Sequence, residues 1–289
     1  MKIKLTSQNE SESASSVNIK IKKFSGNGSE IVNDSVAAEE PLEILLEYGN
    51  TGSRINKVIS ITMRTPGNDE ELAAGFLFTE GIIQRTEQIK EIRMLPFEEN
   101  KVKVVLKDDV SPQLKNSERN FYTTSSCGVC GKTSIDSIKT VSVFENADDE
   151  YKIKIVPDIF YSLNEELKNR QKIFISTGGL HASALFDLNG MFEMLREDVG
   201  RHNALDKLIG HYFINNLMPL NNKILLLSGR ASFELIQKAV MAGIKVVAAV
   251  GAPSSLAVQL AKESGITLLG FLKKDGFNVY SGGKRVGSN

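Results

Sequence analysis

The chain has no excess of charge of either sign. Across its 289 residues, 35 Lys+Arg stand against 35 Asp+Glu, for a formal net charge of +0. A general nucleic-acid binder carries a basic surplus that neutralises phosphates, so that class is excluded. Any anion the protein meets must be held by local groups. Long apolar runs are also missing. The charge-free stretch from Val246 to Ala261 is interrupted by Gly251, Pro253, Ser254 and Ser255, too short and too broken to span a bilayer. The opening MKIKLTSQNESESASS turns polar at once and contains no apolar signal-peptide segment. The expectation is therefore a cytoplasmic protein with no membrane partner. Cysteine is scarce: Cys127 and Cys130 are the only two. So close a pair cannot build a disulfide scaffold, and in a cytosolic chain it points to chemistry or metal. Neither a P-loop nor a GxGxxG fingerprint is present, so ordinary nucleotide hydrolysis and NAD binding lack their signature.

What is present is an ordinary globular composition, 41% hydrophobic and 24% charged, in a chain long enough for one large domain or two modest ones. Residues 1–16 are rich in Ser, Glu and Asn and predict a disordered tail. Residues 17–124 predict a small α+β domain, with strand-like runs at 17–22, 43–48, 58–64, 89–94 and 101–107. One helix interrupts these runs: Asn68 is placed as its N-cap, Asp69, Glu70 and Glu71 suit the positive end of its dipole, and Leu72, Phe76 and Leu77 form its apolar stripe. Residues 125–289 predict an α/β domain. A helix over 157–168 precedes a hairpin, 181–187 and 191–196, turned by Leu188, Asn189 and Gly190. Helices over 200–215, 231–242 and 254–264 then alternate with strands over 223–227, 245–250 and 266–272, and a last strand follows at 277–281. These strands are apolar without alternation, as for strands covered on both faces, and repeated βαβ units predict a parallel sheet.

The sharpest motif is Ser125-Ser126-Cys127-Gly128-Val129-Cys130-Gly131-Lys132. Small flanking residues leave the backbone free to present a thiolate, which Lys132 can help to stabilise. The spacing alone leaves four readings open: a redox dithiol, part of a zinc site, two buried thiols acting as small hydrophobes, and a persulfide carrier. Thr177-Gly178-Gly179-Leu180-His181 lets a ligand approach backbone amides or is a plain loop, and His181 is a ligand, an acid/base group or a core histidine. In Glu197-Asp198-Val199-Gly200-Arg201-His202, Arg201 and His202 fall in the first turn of a helix, where free amides and a guanidinium favour phosphate. His202 and Asp206, four residues apart, are either a His–carboxylate pair or a surface contact. Ser228-Gly229-Arg230 and Gly251-Ala252-Pro253-Ser254-Ser255 both open a helix after a buried strand, with Ser254 or Ser255 as N-cap. Both belong at the carboxyl edge of the sheet, where ligands usually bind.

Taken in order, SSCGVCGK, TGGLHASALF, EDVGRHNALDKLIG, LLLSGRASFELIQKAVMAGI and GAPSSLAVQLA resemble the FdhD family, the formate dehydrogenase accessory sulfurtransferases. RTPGNDEELAAGF, starting at Arg64, and TEGI, starting at Thr79, resemble its N-terminal pattern, so the likeness runs from about Val17 to Tyr280. It implies a cytidine-deaminase-like C-terminal α/β domain, although the H-x-E and P-C-x-x-C signature of zinc deaminases is absent. It implies a persulfide carrier at Cys127, with Cys130 assisting relay or release. It implies a cysteine desulfurase as donor and the molybdenum (or tungsten) bis-pterin guanine dinucleotide cofactor as cargo, delivered before that cofactor enters formate dehydrogenase. The family's cofactor contact falls on Phe271, Leu272, Lys273, Lys274, Asp275 and Gly276, and His202 and Arg230 are added here as residues facing the same cargo. A homodimer with no resident metal is expected. Two other classes stay open: a cofactor chaperone without sulfur transfer, and a CxxC dithiol oxidoreductase.

Overall fold

The structure is a computed structural model that describes residues 4–5, 15–26, 28–114, 142, 144 and 153–287. Its first half builds two sheets. β2 (Ser16–Ser25) and β3 (Gly28–Ala37) pair as an antiparallel ribbon. β4 (Glu40–Tyr48), β5 (Ile55–Arg64), β6 (Ile89–Met94) and β7 (Lys101–Leu106) form a five-stranded sheet with β1 (Lys4–Leu5), in the order β1-β6-β7-β4-β5. β1 lies within the stretch whose composition predicts a disordered tail; it pairs in parallel with β6 through Lys4↔Glu91 and Leu5↔Ile92. A sheet edge supplies backbone partners whatever the composition of the strand that joins it.

Helix α1 (Asp69–Thr79) lies against this sheet and is apolar nearly all round, with Leu72, Ala73, Ala74, Leu77 and Phe78 fully buried. Such a helix needs cover on both sides. The sheet covers one side and α4 (Arg201–Ile214) the other. The two helices meet backbone to backbone. A Cβ on Gly75 would stand 1.9 Å from the Asp206 carbonyl oxygen, and one on Gly210 would stand 1.8 Å from that of Glu71. Asn68 does occupy the N-cap of α1, but with left-handed backbone (φ 58) and no side-chain cap bond. Asp69 is drawn instead into a two-pronged pair with Arg64, at 2.9 and 2.8 Å.

The second half follows the predicted alternation closely. α2 (Pro157–Arg170) and the short α3 (Lys172–Thr177) precede the hairpin β8 (His181–Asp187) and β9 (Phe192–Asp198). After α4 come β10 (Lys223–Leu227), α5 (Phe233–Met241), β11 (Val246–Ala249), α6 (Ser255–Glu263), β12 (Thr267–Lys273) and β13 (Gly276–Ser281). The sheet order is β13-β12-β11-β10-β8-β9. It is mixed rather than parallel: β10, β11 and β12 run parallel, while β8 and β13 are antiparallel to their inner neighbours. Hairpins at both edges reverse the direction that the βαβ rule fixes only for crossover connections.

Both faces of this sheet are covered, which explains its unbroken apolar strands. Phe160 and Leu163 of α2 lie with Phe186, Leu226 and Leu269 on one side. On the other, one continuous core joins Leu42 and Ile44 of the first sheet through Leu72 and Phe78 to Leu208, Leu225, Val247 and Leu268. The two predicted domains thus share a core, and the boundary between residues 124 and 125 lies outside the described residues.

Candidate functional site

β8 runs antiparallel to β10, so its first residue, His181, reaches the end of the sheet where β10 and β11 finish. Two turns meet there. Gly251 donates its N–H to the Gly229 carbonyl at 2.9 Å, Ala231 to Ala252 at 3.2 Å, and Ser254 to Ala231 at 2.9 Å. At Gly251 glycine makes this fit possible, since a Cβ there would lie 3.0 Å from Arg230 Cγ; Gly229 faces His181, and a Cβ there would lie 3.5 Å from Nδ1. Ser228 Oγ accepts from the Ala182 N–H at 2.8 Å, fixing the start of β8 to the first turn. The Phe271 N–H, in turn, bonds to the Gly251 carbonyl at 3.1 Å. His181, Gly229, Arg230, Gly251 and Phe271 therefore form one strip, with Arg201 at the start of α4 acting on His181 and His202 next to it in the chain. Ser254, not Ser255, caps α6, accepting from the Ala257 N–H at 3.2 Å.

The acids nearest this strip are already committed. Asp198 is fully buried and takes Lys207 Nζ at 2.7 Å and the N–H groups of Gly200 and Thr65 at 2.8 and 3.2 Å. Asn203 Nδ2 adds a contact at 3.2 Å. Glu197 holds the amides of Ile173 and Phe174 at the start of α3, at 3.1 and 2.8 Å, and burial still leaves its carboxyl above the usual range. Asp206 accepts from Thr79 at 2.8 Å and from Lys238 at 2.9 Å, so the carboxylate considered for His202 is taken up by the seam between α1, α4 and α5. Among the described residues, neither Arg201 nor Arg230 stands in an ion pair, and the His181 imidazole makes no hydrogen bond. Two uncompensated guanidiniums and an unpartnered imidazole beside glycine turns attract anions, and arginine suits phosphate oxygens in particular.

The residues expected to touch cargo divide into three groups. Arg230 and Phe271 are joined through Gly251, and His202 follows Arg201 in the first turn of α4. Phe271 is 44% exposed and has a left-handed backbone (φ 54). For a bulky aromatic this costs on the order of 1–3 kcal/mol, and such strain concentrates at ligand sites. Leu272 differs: its side chain is buried under α2, and its carbonyl accepts from Asn164 at 3.3 Å. Only its backbone is placed to serve a ligand. Lys273 pairs with Gly276, and Lys274 and Asp275 form the exposed tip of the β12–β13 hairpin. Cys127 and Cys130 lie outside the described residues.

Among the described residues, no cluster of three or more His, Cys, Asp and Glu side chains is arranged to hold a metal ion. No helix among them is long and apolar enough to cross a membrane. Sequence reading did not anticipate that Asp198, Lys207, Thr65 and Asn203 would be the frame that holds the start of α4. The only sign of it was the pairing of acid and base in Glu197–Lys207.

The family model for FdhD/NarQ matches residues 37–287. The chain belongs to the FdhD/NarQ family. The match spans the CxxC segment, both turns and the β12–β13 hairpin. Among curated relatives, the sulfur carrier protein FdhD of Streptomyces avermitilis is 48% identical over 260 residues, covering 88% of this chain and 89% of that one. The protein of the same name from Picrophilus torridus is 44% identical over 263 residues, covering 90% and 95%. A solved chain from Desulfotalea psychrophila, described as a formate dehydrogenase accessory protein, superposes with a TM-score of 0.69 at 25% identity. It covers 94% of this chain and 99% of its own.

Proposed function

We propose that this FdhD-family chain is a sulfur carrier and sulfurtransferase. Cys127 takes sulfur from a cysteine desulfurase as a persulfide and passes it to the molybdenum bis-pterin guanine dinucleotide before that cofactor enters formate dehydrogenase. The observation that carries the reading is the CxxC segment, the chain's only cysteines, inside a family match that covers residues 37–287 and is shared with relatives named sulfur carriers. The cargo has several phosphates, and the strip through Arg201, His202, Arg230 and Phe271 offers cations and amides to receive them. The hairpin at Lys273–Gly276 flanks the strip at the end of β12. The helix-then-hairpin start of the second sheet, followed by strand–helix alternation, supports a cytidine-deaminase-like domain used without deaminase chemistry. The chain works in the cytoplasm, as a homodimer.

The chemistry balances with the two cysteines alone. The Cys127 thiolate attacks the outer sulfur of the donor persulfide; the donor leaves as a thiolate and a Cys127 persulfide forms. Attack of the Cys130 thiolate on the Cys127 sulfur then breaks the inner S–S bond. The outer sulfur leaves as sulfide, a soft ligand for a soft metal centre. The two electrons it needs come from closure of a Cys127–Cys130 disulfide, which a cellular thiol reopens.

The test is peptide mass spectrometry after incubation with an active, matched desulfurase and free cysteine. One added sulfur is expected on the peptide carrying both cysteines, removed by reduction and absent in Cys127→Ser. Absence of added sulfur on either cysteine would defeat the carrier reading and favour a cofactor chaperone. A Cys127→Ser chain that still matures formate dehydrogenase would do the same.

A further inference from the structure

His181 opens β8 half-buried, and nothing among the described residues accepts or donates a hydrogen bond to its ring. Its partner across the ladder is Asp198, but that carboxylate is spent on Lys207, Thr65, Gly200 and Asn203. The groups facing the ring come from three elements: Arg201 on α4, Gly229 on the turn after β10, and the committed Asp198 on β9. Arg230 stands one residue beyond Gly229. Burial first, and Arg201 second, hold the imidazole below its ordinary pKa, with Asp198 opposing them. The ring is therefore neutral while the strip is empty, and a second cation is not crowded against Arg201.

A phosphate settling beside Arg201 reverses that balance. It brings negative charge and acceptor oxygens within reach of the His181 imidazole, a group that can gain a proton near neutral pH. We propose that His181 takes up a proton when a phosphate group of the cargo settles beside Arg201 and the Gly229 turn, so that loading is coupled to proton uptake and weakens as pH rises. This inference rests on the proposed cargo reading and assigns His181 a positioning role within it.

The signs can be separated experimentally. In the empty site the imidazole pKa lies low; with phosphate bound it is higher. Between those two values binding absorbs part of a proton, and affinity falls as pH rises through the bound-state value. The ligand's own terminal phosphate, with a second ionisation near about pH 6, has the opposite effect, since binding its dianion releases a proton. The difference between the wild-type chain and His181→Gln therefore isolates the histidine.

GDP is used as the probe, because it is the nucleotide end of the cargo, with inorganic pyrophosphate as a second probe. Titration calorimetry of the full chain is run at about pH 6.5 and about pH 8, in buffers of different ionisation enthalpy. The wild-type chain is expected to absorb more protons per GDP than His181→Gln or His181→Asn. The variants should lose roughly tenfold in affinity at the acid end and little at the alkaline end, as for loss of one charged hydrogen bond. Matching melting curves exclude misfolding, and the buffer dependence of the wild-type chain needs no variant at all. The same linkage with pyrophosphate would support the phosphate as its source. Equal proton counts for wild type and variants, with GDP bound, would overturn the role of His181 and leave the cargo site standing. Failure of the wild-type chain to bind either probe would overturn the cargo site, and the role of His181 with it.

Discussion

The cations that hold the first sheet together and those at the carboxyl edge of the second sheet are placed differently. In the first sheet, Arg54 pairs with Glu47 and Asp108, Arg64 with Asp69 and Glu40, Lys101 with Glu43 and Glu98, and Lys103 with Glu47. At the carboxyl edge of the second sheet, Arg201 and Arg230 stand in no ion pair among the described residues. Between the two lies a buried seam, Lys207 with Asp198 and Lys238 with Asp206, that fastens α1 to α4 and α5. The formal balance of charge therefore conceals a division of labour. The pairs named here close surfaces or lock the seam, and Arg201 and Arg230 stand where glycine turns open the backbone to a ligand.

The seam gives the largest expected effect. Burial works against the charge on Lys238, but Asp206 and Glu80 outweigh it and hold its pKa above the ordinary lysine range. Removing Asp206 strands that charge. Asp206→Ala should cost about 3–5 kcal/mol in denaturant unfolding, whereas an Asp206→Leu, Lys238→Met double variant should regain most of it. A loss below about 1 kcal/mol would show that the seam is no different from the exposed pairs of the first sheet.

The unpaired arginines predict the reverse pattern. Arg230→Ala and Arg201→Ala should leave unfolding free energy unchanged to within about 0.5 kcal/mol, since neither side chain has a hydrogen-bond or ion-pair partner among the described residues. Each should nonetheless lower GDP affinity by roughly tenfold or more, as for a lost charge-assisted contact. Lys103→Ala on the first sheet should change neither quantity measurably. If an arginine substitution instead lowered stability and left binding intact, the two halves would not differ in the way their ion pairs suggest.

Most of the second half was legible in the sequence, because buried strands and capped helices have strong local signatures. α4 spans Arg201–Ile214 against a predicted 200–215, and β10 matches its predicted span. What escaped was set by distant partners. β3 carries Glu30, Asn33, Asp34 and Ser35 and reads as a loop until β2 pairs with it. The mixed sheet follows from hairpins at its edges, and the shared core follows from the Gly75–Gly210 contact, which no local pattern encodes. The strip itself was half legible: its turns were visible as motifs. That Asp198 would be consumed by Lys207, leaving His181 and Arg201 unanswered, depends on Thr65, which arrives from 133 residues earlier in the chain.

A further cluster crosses between the two regions and gives the smallest effect. Glu71 on α1 accepts from Arg196 on β9, at 2.6 and 2.8 Å, and lies 2.8 Å from His211 on α4. Burial raises its pKa, but the bonds from Arg196 and His211 outweigh burial and hold the carboxyl below its usual range. A carboxyl depressed in the folded state stabilises the fold above its unfolded pKa, and that contribution disappears as pH falls through the folded value. Arg196→Gln should therefore remove about 1 kcal/mol or less near neutral pH. It should also flatten the acid limb of the stability profile, followed as melting temperature from about pH 7 to about pH 3. GDP binding should not change, because Arg196 is spent on the fold. A variant that kept the wild-type acid limb would show that Glu71 is ionised for reasons other than this bridge. One that also lost GDP would place Arg196 with the unpaired arginines rather than with the seam.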